Sequence, residues 1–365
     1  MRAVPLERAI GKRLARTLYS SDGRVLLHAG TVLTDTYVQR LKLRGYISVY
    51  IMNELVPDLV VNDAITEVTR VKAMTRVSEA MAAIARGERI ERGRVIDVVR
   101  KIISDLAESP DVLFCLSNIR SMDDYTFAHS VNVCVLAVMI GQALHFARSQ
   151  LERLGVGALL HDIGKVKVPK SILQKPGRLT PHEFEVVMGH AEEGFNILRR
   201  HFDFSLFSAH VAFQHHERLD GTGYPRGLKG DAIHPFGRIT AVADVYDAVT
   251  SDRVYRAKMP PHEALRMLKV EGKGRFDQEV VNKLMARVAA YPTGCIVKLS
   301  TGQLAVVVQQ VAHAPDRPIV RVVTDDKYRV IEPEDLPLES CPEVTIEAVL
   351  DDFPNQVLRQ LRAPT

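Results

Sequence analysis

Apolar positions recur with a helical period through the middle of the chain and alternate with polar positions near its two ends. Between residues 117 and 290 the apolar side chains follow the i, i+3, i+4 spacing of amphipathic helices, in long segments interrupted by proline and glycine. Strand-like alternation is scarce in this stretch. We therefore expect a mainly α protein, with an all-helical bundle core at 117–290 and smaller modules on either side.

The first 54 residues predict a small α+β module. Two apolar runs flank the turn-forming stretch "SSDG" at 20–23, which is typical of a β-hairpin. Thr34 is placed to cap the helix "DTYVQRLKLRG", Gly45 is placed to end it, and "YISVYI" then has the pattern of a strand. We interpret this module as a regulatory or oligomerisation unit.

Residues 55–116 predict a helical connector, because apolar and charged positions follow each other at helical spacing. Its arginine-rich stretch "ARGERIERGRVIDVVRK" is best explained as a solvated helix face.

The period changes after Tyr291 and Pro292. "GCIVKLSTGQLAVVVQQV" and "RPIVRVVTDDKYRVIE" each contain two β-rich runs separated by turn residues. These stretches predict a small β module at 291–340, followed by a C-terminal tail at 341–365.

Composition excludes several protein classes. The chain has 365 residues, with 48 Lys and Arg against 44 Asp and Glu, and a net charge of +4 is too small to indicate binding of a polymeric nucleic acid. The four cysteines form no paired zinc or redox motif. No secretory signal is visible, and the longest apolar run, "VNVCVLAVMIGQAL", is shorter than the roughly 20 residues that span a bilayer. We expect a cytoplasmic protein without membrane insertion.

Side chains that bind metals recur at or near the ends of the predicted helices. "LLHDIGK" places a histidine and an aspartate after an apolar helix, and "QHHERLDGTGYP" places two adjacent histidines before a glycine-rich turn. Imidazole and carboxylate groups suit Fe, Mn, Zn and Ni, and helical bundles build two-metal sites from several helices. The candidate ligands come from five predicted helices: His129, His161, Asp162, His190, His215, His216 and Asp244.

Three motifs in this order resemble the HD-GYP subgroup of the HD phosphohydrolases: "HDIGK", "HHERLDGTGYP" and "ADVYDAVTSDRVYR". The resemblance covers 117–290, about half of the chain. It implies hydrolysis of cyclic di-GMP to the linear dinucleotide pGpG, and in some members on to GMP. It also implies two divalent cations, with iron or manganese preferred and zinc or nickel as alternatives. Metal coordination lowers the pKa of water towards about 7, which suits hydrolysis at neutral pH.

The resemblance also implies roles for individual residues. Asp162 matches the carboxylate that bridges the two metals, and Lys165 matches a lysine beside the reacting phosphate. Arg253 and Arg256 match basic positions that contact the dinucleotide, although ordinary salt bridges are an alternative for both. Tyr224 can stack on a base. The "DGTGYP" stretch forms a rigid lip that is associated with partner proteins in this family, so a GGDEF-type signalling protein and a second copy of the chain are candidate partners.

One departure from the family pattern concerns the number of metals. Members with a third metal carry a glutamate four residues before the histidine that matches His129, on the same helix face. Tyr125 occupies that place here, and Asp123 and Asp124 are displaced from the face, so we expect two metals.

Two other functions remain as alternatives. The first is an HD phosphohydrolase that acts on a different cyclic dinucleotide or nucleotide. The second is a signalling adaptor that binds cyclic di-GMP without cleaving it. The complete set of seven ligands disfavours the adaptor.

Overall fold

The structure is a computed structural model. It describes residues 2–20, 24–44, 46, 48–52, 56, 59, 63–114, 125–175, 177–200, 204–251, 258–350, 352–354, 357 and 360.

In its described part, the N-terminal module contains two antiparallel strand pairs, one α-helix and a 3₁₀ turn at Leu6–Arg8. Its elements are β1 (Arg2–Pro5), β2 (Leu18–Tyr19), β3 (Val25–Leu27), α1 (Asp35–Leu43) and β4 (Ser48–Ile51). Strand β2 pairs with β3 and β1 pairs with β4. The Thr34 hydroxyl accepts a hydrogen bond from the backbone N–H of Tyr37 at 3.3 Å, so the predicted cap of α1 is confirmed. Gly45, the predicted end of this helix, lies outside the described residues.

The segment predicted as a connector is packed into the main core. Helices α2 (Glu67–Ala85) and α3 (Arg92–Glu108) bury apolar side chains in the same cluster as the central helices, among them Met74, Val77, Val99 and Ile102. The charged positions from Arg86 to Arg94 face solvent, as predicted, but those from Arg86 to Glu91 lie in the link between α2 and α3 and not on a helix face. Helical amphipathicity explains the buried stripes, because one face of each helix is apolar.

Helices build the central domain, so the predicted fold class is confirmed. They are α4 (Tyr125–Ala143), α5 (Arg148–Leu159), α6 (Lys170–Leu173), α7 (Pro181–Met188), α8 (His190–Arg200), α9 (Leu206–Gln214), α10 (Pro235–Thr250), α11 (Pro261–Val270) and α12 (Gln278–Met285), with 3₁₀ turns at Ile163–Lys167 and Gly230–Ala232. Helix α4 packs against α5 and α10, while α9 packs against α5, α8 and α10. These five helices surround the candidate ligands.

Helix α4 is apolar on nearly all sides. Its segment Thr126–Ala143 is long and apolar enough to cross a membrane, but 78% of this segment is buried inside the protein. A helix that is hydrophobic all round is explained by its position in the centre of a helical core.

The C-terminal module is a five-stranded antiparallel sheet with the order β8-β7-β6-β5-β9. Its strands are β5 (Ile296–Leu299), β6 (Leu304–Gln309), β7 (Ile319–Thr324), β8 (Val330–Pro337) and β9 (Ile346–Leu350). The two predicted hairpins are β5–β6 and β7–β8. Residues 341–365, predicted as a tail, supply β9, which pairs with β5 and completes one edge of the sheet.

Candidate metal centre

The seven candidate ligands converge from five parts of the helical domain. His129 lies on α4 and Asp244 on α10, whereas the other ligands lie at helix ends. His161 and Asp162 follow α5, His190 is the first residue of α8, and His215 and His216 follow α9. The sequence had suggested one continuous helix leading to His190. The structure instead ends α7 at Met188 and starts α8 at His190, which places this ring at a helix N-terminus.

The ligand atoms form two groups that share one carboxylate between them. One group contains His190, His215 and His216, and the other contains His129, His161 and Asp162. Asp162 Oδ2 lies 3.5 Å from His161 Nε2 and 4.0 Å from His129 Nε2. Its other oxygen, Oδ1, lies 3.4 Å from His190 Nε2 and 3.9 Å from His215 Nε2. One carboxylate therefore faces both groups.

Asp244 also spans the same two groups. Its Oδ1 lies 3.1 Å from His129 Nε2 and 4.0 Å from His161 Nε2, and its Oδ2 lies 3.9 Å from His216 Nδ1. Two carboxylates between two sets of imidazoles are the donor set of a binuclear site for first-row transition metals.

Backbone carbonyl groups select the ring nitrogen that each of three histidines presents to the centre. The Nδ1–H groups of His161, His190 and His215 donate to the carbonyl oxygens of Ala158 (2.7 Å), Val187 (2.6 Å) and Ala212 (2.9 Å). A carbonyl can only accept, so Nδ1 carries the proton and Nε2 keeps its lone pair. This arrangement prepares Nε2 to bind a metal.

Burial keeps these rings neutral. It lowers the pKa of His161 and His190, and it lowers the pKa of His215 well below its ordinary value. Burial also lowers the pKa of His216 to about 3. Neutral imidazole is the form that binds a metal.

His129 behaves differently because two carboxylates hold it. Burial alone would lower its pKa, but hydrogen bonds to Asp244 and Asp247 outweigh this effect and raise the pKa to about 10. A metal that binds Nε2 of His129 would therefore displace a proton from it. The cationic neighbours of the two carboxylates act in the opposite sense. Burial alone would raise the pKa of Asp162 and Asp244, but the Lys165 ammonium holds the pKa of Asp162, and the hydrogen bond from His129 holds that of Asp244, well below the usual range.

The buried polar atoms of the centre fit a bound cation. Among the described residues, His161 Nε2 and Asp162 Oδ1 have no hydrogen-bond partner, although both atoms are buried. Leaving such groups unpaired costs about 1–3 kcal/mol each. Both atoms are lone-pair donors that point into the centre, so divalent metal ions would satisfy them.

Lys165 lies at the edge of this centre. Its ammonium donates to Asp162 Oδ2 at 2.5 Å, and its side chain is 29% exposed. The lysine therefore touches a candidate metal ligand and can also be reached from solvent.

Comparison with known proteins agrees with this geometry. Residues 101–280 match the family described as "HD domain". Residues 101–280 form an HD domain. The chain is 38% identical over 248 residues to the "Cyclic di-GMP phosphodiesterase PA4108" of Pseudomonas aeruginosa. The aligned region covers 68% of this chain and 60% of that protein. The chain is also 43% identical over 144 residues to the "3'3'-cGAMP-specific phosphodiesterase 3" of Vibrio cholerae. This aligned region covers 40% of this chain and 31% of that protein. The chain therefore spans less than two thirds of the length of these relatives.

A solved structure supports the same fold. The structure titled "Bd1817, a HDG"Y"P protein from Bdellovibrio bacteriovorus" superposes with a TM-score of 0.53 at 19% identity, over 77% of this chain and 97% of that one. At this identity the likeness shows the fold alone. The HD-type bundle predicted from the motifs is confirmed.

Glycine in the "HDIGK" motif of the HD domain is required by packing. A Cβ atom on Gly164 would lie 2.0 Å from the carbonyl oxygen of His190 and 2.5 Å from the backbone nitrogen of Gly194. The sequence analysis had not identified this contact. The close approach holds the turn that carries Asp162 directly against the start of α8.

The "DGTGYP" lip folds back over His216. The ring of Tyr224 stacks on His216 with centroids 4.5 Å apart, and the Tyr224 N–H donates to the His216 carbonyl at 3.2 Å. A Cβ on Gly223 would lie 2.4 Å from that same carbonyl oxygen, so glycine is needed here for space. The left-handed φ of +83° at Gly221 agrees with the turn predicted from sequence.

Glu217 fastens this lip, and the sequence analysis did not identify it. Its carboxylate is 2% exposed and accepts hydrogen bonds from the backbone N–H groups of Arg226 (2.8 Å) and Leu228 (2.9 Å). The acidic residue directly after the two histidines was the available signal. A buried carboxylate bonded to two loop amides makes the lip a rigid part of the domain.

Asp247 and Asn132, which the sequence analysis also did not identify, form hydrogen bonds on the side of His129 away from the ligand atoms. The Asp247 side chain accepts a hydrogen bond from His129 Nδ1 at 2.7 Å and another from Asn132 Nδ2 at 2.7 Å. These residues lie in the predicted motif helices, but their convergence depends on the packing of α4 against α10 and has no local sequence signal.

The predicted substrate contacts Arg253 and Arg256 lie outside the described residues. So do Asp123 and Asp124, which were expected to be displaced from the helix face of His129. Tyr125 begins α4, one helical turn before His129, as its predicted position requires.

Proposed function

We propose that this protein is a metal-dependent phosphodiesterase that hydrolyses cyclic di-GMP to pGpG, with further hydrolysis to GMP as a second step. The observation that carries the proposal is the pair of ligand groups facing opposite oxygens of Asp162. The names of the HD-domain relatives support the substrate class, since they act on cyclic dinucleotides.

The two ligand groups would each hold one divalent ion, with iron or manganese preferred and zinc or nickel as alternatives. Such ions supply Lewis acidity towards a phosphodiester and make hydroxide available at neutral pH. His161, His190 and His215 have the correct ring nitrogen prepared by their bonds to backbone carbonyls. Asp162 and Asp244 would balance the positive charge from two sides.

Lys165 would assist at the phosphate. Its ammonium is held at the open edge of the centre by Asp162, where it can offset negative charge or protonate the leaving oxygen. Arg253 and Arg256 remain proposed contacts to the dinucleotide. Arginine suits this task because its planar fork pairs with phosphate and guanine edges. Tyr224 is proposed to stack on a base beside the lip.

We extend the proposal to partners and location. The protein would work in the cytoplasm on a soluble second messenger, without a polymeric nucleic acid or membrane insertion. The lip held by Glu217 would offer a rigid surface to a GGDEF-type signalling protein, and the chain would also be able to form a homodimer.

Two alternatives are tested by the same assay. One is a preference for 3'3'-cGAMP, favoured by the name of the Vibrio cholerae relative. The other is an adaptor that binds cyclic di-GMP without turnover. The buried, converging ligands favour an enzyme, because an adaptor has no need of two unpaired donor atoms in a metal-binding pocket.

The decisive experiment is turnover by anaerobically purified protein reconstituted with Fe(II) or Mn(II). Cyclic di-GMP, 3'3'-cGAMP and cyclic di-AMP would be offered separately, and the products resolved by chromatography. We expect the highest kcat/KM for cyclic di-GMP and a linear dinucleotide as the first product. A higher kcat/KM for 3'3'-cGAMP would support the first alternative. Binding of cyclic di-GMP by fully metal-loaded protein without any cleavage would support the adaptor.

A further inference from the structure

A buried arginine from outside the HD domain reaches towards the metal centre. Arg70 lies on α2, before the family match begins at residue 101, and it is only 4% exposed. Its Nη1 donates to Asn132 Oδ1 on α4 at 3.0 Å. Burial of a guanidinium is unusual unless its donors have a specific task.

Asn132 continues the connection to a metal ligand. Its Nδ2 donates to Asp247 Oδ1, and Asp247 Oδ2 accepts from His129 Nδ1, both at 2.7 Å. The guanidinium can only donate and the carboxylate can only accept, so a single orientation of the Asn132 amide satisfies both neighbours. Asn132, Asp247 and His129 are at most 5% exposed, so solvent does not compete for these bonds.

The outer end of α2 is itself anchored. Thr66 caps the helix, and its N–H and hydroxyl donate to Asp105 of α3 at 3.0 Å and 3.1 Å. Three residues earlier, Asp63 makes a two-pronged salt bridge with Arg16 of the N-terminal module at 2.8 Å and 2.9 Å. Arg70 follows one helical turn after the cap, so its position depends on contacts of α2 with α3 and of Asp63 with the N-terminal module.

We propose that Arg70 is a positioning residue that orients His129 through Asn132 and Asp247, and that it makes metal affinity in the HD domain depend on helix α2. The proposal rests on the metal centre argued above. Carboxylates bonded to the second nitrogen of a ligand histidine fix its ring and tautomer, and loss of such outer partners costs roughly 10- to 100-fold in metal affinity. Arg70 fixes that carboxylate one step further out.

The test compares Arg70→Met with Arg76→Met. Arg76 lies on the same helix, pairs with Glu79 near the surface and has no contact with the centre, so it is the matched control. Apo protein is titrated with Mn(II) alone by equilibrium dialysis and elemental analysis. We expect one of the two ions to bind roughly 10-fold or more weakly in Arg70→Met, with Arg76→Met unchanged from the parent.

Packing and hydrogen bonding are separated by Arg70→Lys. Methionine and lysine fill similar space, but only lysine keeps a cationic donor for Asn132 Oδ1. We expect Arg70→Lys to recover part of the lost affinity. Equal losses in the two variants would show that the residue acts only through packing, which would overturn the proposal.

A second variant keeps the test usable if Arg70→Met does not fold. Asn132→Leu interrupts the same connection from the other side and should give a similar loss of Mn(II) affinity. Where both variants fold, the double variant should be no weaker than the worse single one, because the residues act in series. Additive losses of Mn(II) affinity in the double variant would contradict the proposal. So would single variants that bind Mn(II) as tightly as Arg76→Met does. If the parent protein itself binds no Mn(II), the metal centre fails together with this inference.

Discussion

At the scale of single residues, each oxygen of Asp162 faces a different set of histidines, as the oxygens of Asp244 also do. Asp162 Oδ1 faces His190 and Asp162 Oδ2 faces His161. Replacement by asparagine keeps the shape but removes the negative charge and one of the two anionic oxygens. The binuclear site should be more sensitive to this change than to any substitution behind the ligands.

We expect Asp162→Asn to lower kcat more than roughly 100-fold. That is the upper end of the loss seen when a hydrogen-bond partner of a metal ligand is removed. The reason is that the change removes a ligand shared by both ions. Steady-state hydrolysis of cyclic di-GMP and metal content by elemental analysis are the measurements. Asp97→Asn, at an exposed position of α3, is the control. Activity of Asp162→Asn within tenfold of the control at normal metal content would exclude a bridging role.

The candidate ligands could be selected from sequence because most of them lie in short motifs whose order and spacing are distinctive. The residues that orient them were not. Arg70 and Asn132 are 62 residues apart, and Asn132 and Asp247 are 115 apart, so no local pattern links them. Only the packed helices bring these side chains together.

At the scale of elements, the centre depends on how closely the turn after α5 approaches α8. Gly164 allows its backbone to lie against the carbonyl of His190, which joins two ligand-bearing segments directly. The structure shows that this glycine is required for space, since a Cβ would meet backbone atoms that cannot move independently.

We expect Gly164→Ala to lower the free energy of unfolding by about 1–3 kcal/mol or more, since this is the typical cost of overpacking. The new methyl group would force the Asp162 turn away from His190, so metal content should fall as well. Gly93→Ala is the matched control, because a Cβ there meets nothing within 4 Å. Thermal unfolding of the apo proteins and their metal content after loading provide the comparison. Equal melting temperatures for the two variants would contradict the packing argument.

Short and edge elements were the least predictable from sequence. Strand β9 exposes part of every side chain along its length, so its apolar alternation is weak. Strand β1 has only four residues and ends in proline. The break between α7 and α8 occurs at Gly189, within a stretch whose apolar period continues, so periodicity alone did not predict it.

At the scale of the whole molecule, one hydrophobic core extends from Ala64 to Ala290. Helices α2 and α3 are part of this core, although the sequence suggested a connector that ends at residue 116. The unit that shares this core is therefore larger than the segment that carries the motifs. Periodicity identified these helices correctly, but it could not show which surface they cover.

We expect a shortened chain that begins at residue 117 to lose cooperative folding, whereas one that begins at residue 56 retains it. Each large apolar side chain contributes about 1.5–3 kcal/mol when buried, and several are lost with α2 and α3, against a total stability of about 5–15 kcal/mol. Circular dichroism during thermal unfolding is the measurement. Cooperative melting of the 117–365 chain at the temperature of the 56–365 chain would show that the two helices are dispensable.

We propose that seven side chains form a centre for two metals that share Asp162. The number and positions of the ions can be read from an anomalous-scattering map of crystals of the unmodified protein, fully loaded with Mn(II). We expect two peaks, one beside His190, His215 and His216 and one beside His129 and His161, with Asp162 between them. A single peak, or a third peak near the Tyr125 end of α4, would contradict it.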